Sequence, residues 1–234
     1  MYKMIGCLFI SGLLGACIGS FVNVIVWRMP RGESVVMPRS YCPCCLNQLG
    51  WYENIPILSW FFLKRHCLHC HQKISARYPL IELLCSTLFV SCNLSSPSAF
   101  GHYPKDYIPI IGFILIGFLL TLSLLDLYHY WLPRKLCSLG LFLGLIITAC
   151  ESFLSTNNAQ FALFAGHLIA AITGYMSFVL LGWIAKLAIG KQALGHGDAL
   201  LVALMGAWLG LKGLGLSLML AFIIAGVISF SFGQ

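Results

Sequence analysis

The segment IPIIGFILIGFLLTLSLLDL, residues 108–127, decides the class of fold, because its only charged residue is Asp126. A helix needs about 20 mostly apolar residues to cross the hydrocarbon core of a bilayer. Similar apolar runs recur on both sides of this segment. The whole chain of 234 residues is 59% hydrophobic and only 9% charged, whereas a soluble domain carries about 25% charged residues. The sequence therefore predicts an all-α polytopic membrane protein.

About seven transmembrane helices are predicted from these runs. The chain is accordingly divided into a first transmembrane helix (1–27), a loop domain (28–78) and a transmembrane helical core (79–234). Several of the spans are short for a bilayer of about 30 Å. The predicted spans are 4–27, 79–93, 108–127, 136–150, 161–185, 198–210 and 214–232.

The distribution of basic residues predicts the orientation in the membrane. Seven of the fourteen lysines and arginines lie in the loop domain, and four more lie in the predicted loops 128–135 and 186–197. Lysine and arginine are enriched on the cytoplasmic side of bacterial membranes. We therefore expect these loops in the cytoplasm and the N-terminus outside. Residues 94–107, residues 151–160 and the turn at Lys212 are then predicted to face outward. The net charge of +7 belongs to this pattern, and nucleic acid is not an expected partner; the lipid bilayer is.

The loop domain contains two C-x2-C units separated by twenty-one residues. Disulfides are uncommon in the cytoplasm, and four thiolates at such spacing are typical of a tetrahedral structural zinc site. Cys44 is predicted to be spare, and His69 and His71 are possible substitute ligands. Four unpaired thiols are the alternative. The predicted zinc ligands are Cys42, Cys45, Cys67 and Cys70.

Two acidic residues, Asp126 and Asp198, lie where apolar runs meet short loops on the predicted cytoplasmic side. An aspartate at the centre of a membrane helix costs about 2.5–3.5 kcal/mol, so such a placement favours a function. Each also has a purely structural interpretation. Asp198 could be the N-cap or a first-turn residue of the following helix, and Asp126 could pair with Arg134 or Lys135.

If the two carboxyl groups meet, repulsion makes one of them keep a proton near neutral pH. The ionised group can then activate water while the protonated group polarises a peptide carbonyl. We therefore predict that Asp126 and Asp198 are catalytic. His129 and His196 could tune this pair, and Glu82, inside the second span, is a third acid with a possible secondary role.

These residues resemble a known family, the bacterial type IV prepilin peptidases, also called leader peptidase/N-methyltransferases. The similarity extends along nearly the whole chain and includes Gly-x-Gly-Asp around Asp198. The segments that carry it are Gly19–Val24 with Arg28 and Pro30, the two C-x2-C units, Trp51–Trp60, Ile74–Glu82, Asp126 with Leu132-Pro133, and Gly195–Asp198.

The resemblance implies an aspartyl protease of the bacterial inner membrane that cuts the leader of prepilins and pseudopilins on the cytoplasmic side, typically between Gly and Phe. It also implies methylation of the new N-terminus with S-adenosylmethionine, in which the cytoplasmic loop takes part. By this resemblance Asp126 and Asp198 are catalytic, and the four cysteines bind the metal of the loop. The residues that bind S-adenosylmethionine are not predicted.

The chain departs from the family pattern at several places. Tyr128 and Arg134 replace acids often found near the first aspartate, and Leu200 replaces a lysine common after the second. The sequence also stops at Gln234, whereas family members usually continue with a further span. Two alternatives therefore stay open: an inactive truncated scaffold, and a proton-coupled transporter in which the aspartates relay protons.

Overall fold

The computed structural model describes residues 2–94, 108–154, 158–190 and 195–232, and these residues are helical apart from short loops. Short 3-10 turns cover Met29–Arg31 and Trp51–Asn54. The predicted all-α class is confirmed. The α-helices of the described residues are α1 (Tyr2–Arg28), α2 (Leu58–Phe62), α3 (Arg77–Leu94), α4 (Ile108–His129), α5 (Arg134–Leu154), α6 (Asn158–Ile189) and α7 (His196–Phe232).

Four of the described helices are long and apolar enough to cross a membrane. The corresponding segments are Ile5–Arg31, which extends α1 through the turn Met29–Arg31, and Pro109–His129, Ala162–Ala188 and His196–Ser231. A helical membrane protein is thereby supported, whereas seven separate spans are not established. The predicted spans 79–93 and 136–150 lie within α3 and α5, which are not among these four.

The predicted sixth and seventh spans belong to a single element, α7. Its backbone is broken at Gly210, where φ is 66° and ψ is −177°. That conformation is left-handed in φ and suits glycine, which has no Cβ. The sequence placed the turn between the two spans at Lys212, two residues further on, because that residue is the charge that interrupts the apolar run.

The chain divides into two compact units, residues 1–130 and 131–234. In the first, α1 and α3 are closely packed over two glycines. A Cβ atom on Gly15 would lie 2.7 Å from the Cα of Ser86, and one on Gly19 would lie 2.7 Å from the Cα of Glu82. Small residues four positions apart let two membrane helices approach closely, so this spacing decides how α1 meets α3.

The second unit consists of α5, α6 and α7, which contact one another. Trp208 of α7 is buried, and its indole N–H donates a hydrogen bond of 2.8 Å to the carbonyl oxygen of Gly140 on α5. The N–H of a buried tryptophan needs such a partner. This contact therefore fixes α7 against α5 in the half of α7 that carries Asp198.

Some predictions fall on residues that the structure does not describe. Most of the predicted outward segment 94–107, which includes Lys105, lies outside the described residues. So do residues 155–157 of the predicted outward segment 151–160, and Lys191 in the predicted cytoplasmic loop 186–197. The division into 1–27, 28–78 and 79–234 stays a prediction.

Candidate metal centre and active-site aspartates

The two C-x2-C units fold into two turns of the same shape. In the first, the N–H of Leu46 donates to the carbonyl oxygen of Cys42 at 2.9 Å; in the second, His71 donates to Cys67 at 3.0 Å. Leu46 and His71 both have positive φ, at 60° and 56°, and an isolated antiparallel bridge closes each turn. Equal spacing in the sequence thus yields equal backbone geometry.

The turns bring the four predicted zinc ligands together. The Sγ atoms of Cys42, Cys45, Cys67 and Cys70 all lie within 4.8 Å of one another, and those of Cys42 and Cys70 are 3.9 Å apart. A tetrahedral site with Zn–S bonds of about 2.3 Å has S–S edges of about 3.8 Å. Cys44 is exposed and is not one of the four grouped sulfurs. The donor set therefore fits a zinc ion.

Thiols placed so close together resist ionisation unless a cation is present. A hydrogen bond from the backbone of Asn47 lowers the pKa of Cys45, but partial burial and hydrogen bonds from the thiols of Cys42, Cys70 and Cys67 raise it to about 12. A divalent metal instead favours the ionised form of these cysteines, because cysteines bind a metal as thiolates. Metal binding should accordingly release protons and strengthen as the pH rises.

Arg28, the last residue of α1, organises the start of the loop domain. It is only 3% exposed, and its guanidinium donates hydrogen bonds to the carbonyl oxygens of Ser34, Pro38 and Arg39. It also lies over the ring of Tyr41, 4.9 Å from the centroid. The sequence interpretation counted Arg28 among the cytoplasmic cations. Its burial shows that it also ties the loop to the helix.

Glu82 joins the loop domain to α3. Its carboxylate oxygen Oε2 accepts a hydrogen bond of 2.6 Å from the backbone N–H of Ile57. Ile57 has a φ of 65°, which is unfavourable for a β-branched residue. Glu82 is buried and holds the loop against the helix, while the secondary functional role predicted for it stays a prediction.

Asp126 lies in the last turn of α4 and is exposed. Its carbonyl oxygen accepts a hydrogen bond of 2.8 Å from the N–H of Tyr130, which ends the helix with a φ of 50°. His129 Nε2 lies 3.2 Å from the carbonyl oxygen of Val26 on α1. This nitrogen must carry a proton to donate to the carbonyl, so His129 helps to hold α4 on α1.

Asp198 lies in the first turn of α7 and is half-buried. Its Oδ2 accepts a hydrogen bond of 2.8 Å from the N–H of Gly195, the residue that precedes the helix, so Asp198 is a first-turn residue and not the N-cap. Within the described residues, Oδ1 accepts no hydrogen bond. The Cβ of Leu132 would lie 2.8 Å from a Cβ added to Gly197, so glycine there lets Leu132 pack beside Asp198.

Tyr128, where the family often has an acid, is in contact with a cation. The guanidinium carbon of Arg77 lies 3.7 Å from the centroid of the Tyr128 ring. A cation over an aromatic face is an attractive interaction. The departure from the family pattern therefore replaces an acid near Arg77 with a neutral ring that still attracts it.

Comparison with known families agrees with these motifs. Residues 13–96 match the Bacterial Peptidase A24 N-terminal domain, and residues 113–230 match the Type IV leader peptidase family. The chain belongs to the type IV leader peptidase family. The family resemblance predicted from the sequence is thus confirmed. The four cysteines lie in the first matched segment, and both aspartates lie in the second.

Three relatives illustrate the match. The prepilin leader peptidase/N-methyltransferase of Myxococcus xanthus is 38% identical, over 84% of this chain and 54% of its own length. A type 4 prepilin-like proteins leader peptide-processing enzyme of Escherichia coli is 36% identical, over 84% of this chain and 74% of its own length. The prepilin leader peptidase/N-methyltransferase of Klebsiella pneumoniae is 36% identical, over 92% of this chain and 89% of its own length.

The chain thus spans about half the length of the Myxococcus relative and most of the Klebsiella one. No solved structure matches the chain at comparable significance. The named relatives are enzymes, and membership of this leader peptidase family places the chain among enzymes. Sequence reasoning missed the anchoring role of Arg28, because an arginine after an apolar run is usually a solvated cation.

Proposed function

We propose that this family member is a membrane-embedded aspartyl peptidase that removes the leader of type IV prepilins and pseudopilins, typically between Gly and Phe. Relatives of at least 36% identity carry names that state this processing. The observation that carries the proposal is the segment matching the leader peptidase family, residues 113–230, because it includes Asp126 and Asp198.

In the proposed reaction the two carboxyl groups act together on a peptide bond. One ionised carboxylate takes a proton from water, and the water oxygen adds to the carbonyl carbon. The protonated partner donates a hydrogen bond to the carbonyl oxygen. The C–N bond then breaks, and the new amine leaves with a proton. Asp198 suits this work because one oxygen is held by Gly195 and the other has no partner among described residues.

The proposed setting is the bacterial inner membrane, with the N-terminus outside and the active site facing the cytoplasm. The basic residues of the loop domain support this orientation. Seven spans are part of the proposal. They require α3 and α5 to cross the membrane and α7 to contribute two segments on either side of Gly210.

The loop domain is proposed to hold a structural zinc ion on Cys42, Cys45, Cys67 and Cys70. When bound, zinc supplies folding free energy, on the order of 10–16 kcal/mol in small zinc-finger peptides. Four sulfur ligands leave no coordination position for a catalytic water. The cysteine turns would therefore stabilise the loop and take no part in hydrolysis.

The proposal includes N-methylation of the new N-terminal residue, with S-adenosylmethionine as methyl donor, as the names of two relatives imply. The lone pair of the amine attacks the methyl carbon, the carbon–sulfur bond breaks towards sulfur, and the amine releases a proton. The products are the methylated amine and S-adenosylhomocysteine, so no other reactant is needed.

The test uses the purified full chain in detergent with a prepilin-like peptide, followed by mass spectrometry. Asp126→Asn and Asp198→Asn should each abolish leader cleavage while the protein still accumulates in membranes. Asparagine can still accept the hydrogen bond from Gly195, so Asp198→Asn preserves this hydrogen bond and removes only the acid. Glu33→Gln, which removes an exposed charge of the loop domain, is the control and should cleave normally.

Full cleavage by either aspartate variant would reject the catalytic pair. If the unaltered protein bound the peptide without cutting it, an inactive scaffold would be the better description.

A further inference from the structure

The short helix α2 of the loop domain has two faces of opposite character. Successive residues of a helix are about 100° apart, so Leu58, Phe61 and Phe62 share an arc of about 100° and Trp60 lies opposite them. Leu58 is 52% exposed, Phe61 62% and Phe62 78%. Single exposed apolar residues are common on proteins. Three large ones on the same face of one helix form a patch that indicates a partner.

The opposite face of α2 is held by the loop domain, and this fixes the direction of the patch. The indole N–H of Trp60 donates a hydrogen bond of 3.2 Å to the carbonyl oxygen of Ile74. The guanidinium carbon of Arg65 lies 4.8 Å from the centroid of the Trp60 ring. At the end of the helix, the N–H of Leu63 donates to the carbonyl oxygen of Ser59 at 2.8 Å. The patch therefore faces away from the loop domain.

The start of α2 lies at a level inside the apolar helices. The N–H of Ile57 is bonded to the carboxylate of Glu82, and a Cβ on Gly19 would lie 2.7 Å from the Cα of Glu82. Gly19 is nine positions before Arg28, the end of α1, which is about 14 Å along a helix. A glutamate side chain is much shorter than this distance. The loop at Ile57 therefore reaches past the end of α1, to a level within a segment apolar enough to cross a membrane.

Basic charge and apolar surface occur together around α2, as a membrane interface favours. Lys64 and Arg65 follow the helix directly, and residues 54–81 contain no acidic residue. Lysine and arginine can place their charge among lipid headgroups while their methylene chains cover apolar surface. Leucine and phenylalanine are typical of the buried face of interfacial helices. The leucines of α3 nearest to Glu82 in the sequence are also exposed: Leu80, Leu83 and Leu84.

We propose that α2 is an interfacial helix that inserts Leu58, Phe61 and Phe62 into the bilayer. The leaflet is the one on the side of the loop domain, which the proposed orientation makes cytoplasmic. The inference goes beyond the proposed function, and no step of the proposed reaction uses these three residues. Besides α1 and α3, the bilayer is then a third attachment of the loop domain. It holds the zinc turns close to the membrane surface, where a membrane-anchored substrate also lies.

The first measurement identifies what Phe62 contacts. In the full chain, Phe62 is replaced by the photoreactive residue p-benzoyl-phenylalanine, and membrane vesicles from the producing cells are irradiated. The protein is then purified and digested, and its peptides are analysed by mass spectrometry. We expect the peptide that contains position 62 to gain the mass of a phospholipid. A conjugate with another protein at this position, or no phospholipid adduct, would overturn the proposal.

Leu68 is the matched control position. It is an exposed leucine of the second zinc turn and lies outside the apolar face of α2. The same photoreactive residue at position 68 should gain no phospholipid. Both proteins should keep the metal content of the unaltered chain, which reports that the loop is folded. Equal phospholipid adducts at the two positions would overturn the assignment to α2.

A second measurement needs no variant. The unaltered protein in phosphatidylcholine nanodiscs receives a short pulse of hydroxyl radicals, which form in water and oxidise accessible side chains. A soluble peptide with the sequence of α2 between added lysines, in the same sample, gives the oxidation of these residues in water. Because Phe62 is 78% exposed in the protein, the fold alone would leave most of its oxidation in place. We expect Phe61 and Phe62 to lose most of it; oxidation equal to that of the peptide would overturn the proposal.

Discussion

At the scale of single residues, each zinc turn places one residue in a backbone conformation that usually belongs to glycine. Leu46 and His71 follow the second cysteine of each turn with φ of 60° and 56°. A left-handed conformation costs an ordinary residue about 1–2 kcal/mol. A glycine at the same position avoids this cost, but it loses more conformational entropy on folding, which offsets about 0.5–1 kcal/mol of the gain. The zinc turns are thus strained at these two residues, and the sequence alone does not indicate this strain.

Leu46→Gly should therefore stabilise the zinc-bound loop by up to about 1 kcal/mol, because it relieves this strain. The expected result is zinc retention up to about fivefold stronger, measured by competition with a chelator. Leu68→Gly is the matched control. Leu68 is an exposed leucine of the second turn without positive φ, and glycine there should weaken retention. Weaker retention by Leu46→Gly would contradict the strain argument.

Cys42→Ser tests the ligand set at the same scale. It removes one of four clustered sulfurs, so the protein should lose about one bound zinc. Because Cys42 lies in the N-terminal segment and both aspartates lie outside it, methylation should fall more than leader cleavage. Metal analysis and mass spectrometry of the peptide products check both outcomes. Cys44→Ser, which changes an exposed thiol outside the cluster, should keep its zinc; unchanged zinc in Cys42→Ser would refute the assignment.

At the scale of helices, close packing of α1 on α3 depends on glycine. Gly19→Ala would place a Cβ atom 2.7 Å from the Cα of Glu82, which no side-chain rotation can relieve because the neighbour is backbone. Overpacking of this kind typically costs about 1–3 kcal/mol. We expect a lower midpoint of thermal unfolding in detergent, followed by tryptophan fluorescence.

Gly6→Ala is the control for this experiment, because it is in the same helix and a Cβ there has no neighbour within 4 Å. Its unfolding midpoint should not fall. An unchanged midpoint for Gly19→Ala would mean that α1 and α3 are not packed as described.

Elements with a strong sequence signal were predictable, and those that depend on a single backbone angle were not. Apolar runs gave the positions of α1, α4 and α6 closely, since long stretches with few charges leave little choice of structure. The break in α7 was misplaced by two residues, because a charge at Lys212 is visible in the sequence and a positive φ at Gly210 is not. Tertiary packing decides such details.

The candidate sites were also predictable only in part. Cysteine spacing predicted which four sulfurs would cluster and that Cys44 would not. The apolar face of α2 could not be predicted, because it lies in a stretch rich in aromatic residues, and only the fold shows that Trp60 is bonded inward while Phe62 is exposed. The first-turn position of Asp198 was one of two alternatives that the sequence left open, and its hydrogen bond from Gly195 was not predicted.

At the scale of the whole molecule, the chain joins an N-terminal segment with a candidate metal centre to a helical segment with two aspartates. The two family matches follow the same order along the chain. The peptidase proposal requires something that neither compact unit supplies alone, because Asp126 lies in residues 1–130 and Asp198 in residues 131–234. The proposal therefore depends on the carboxyl groups of Asp126 and Asp198 lying close together.

Cross-linking tests that claim most directly. The double variant Asp126→Cys/Asp198→Cys is oxidised in membranes, and disulfide-linked peptides are identified by mass spectrometry, which separates them from links between native cysteines. The control, Asp126→Cys/Leu209→Cys, moves the second thiol eleven positions along the part of α7 that precedes the break at Gly210, roughly 16 Å for a helix. We expect a link between positions 126 and 198 and none in the control. Absence of that link, even with a short bifunctional thiol reagent, would contradict a shared aspartyl site.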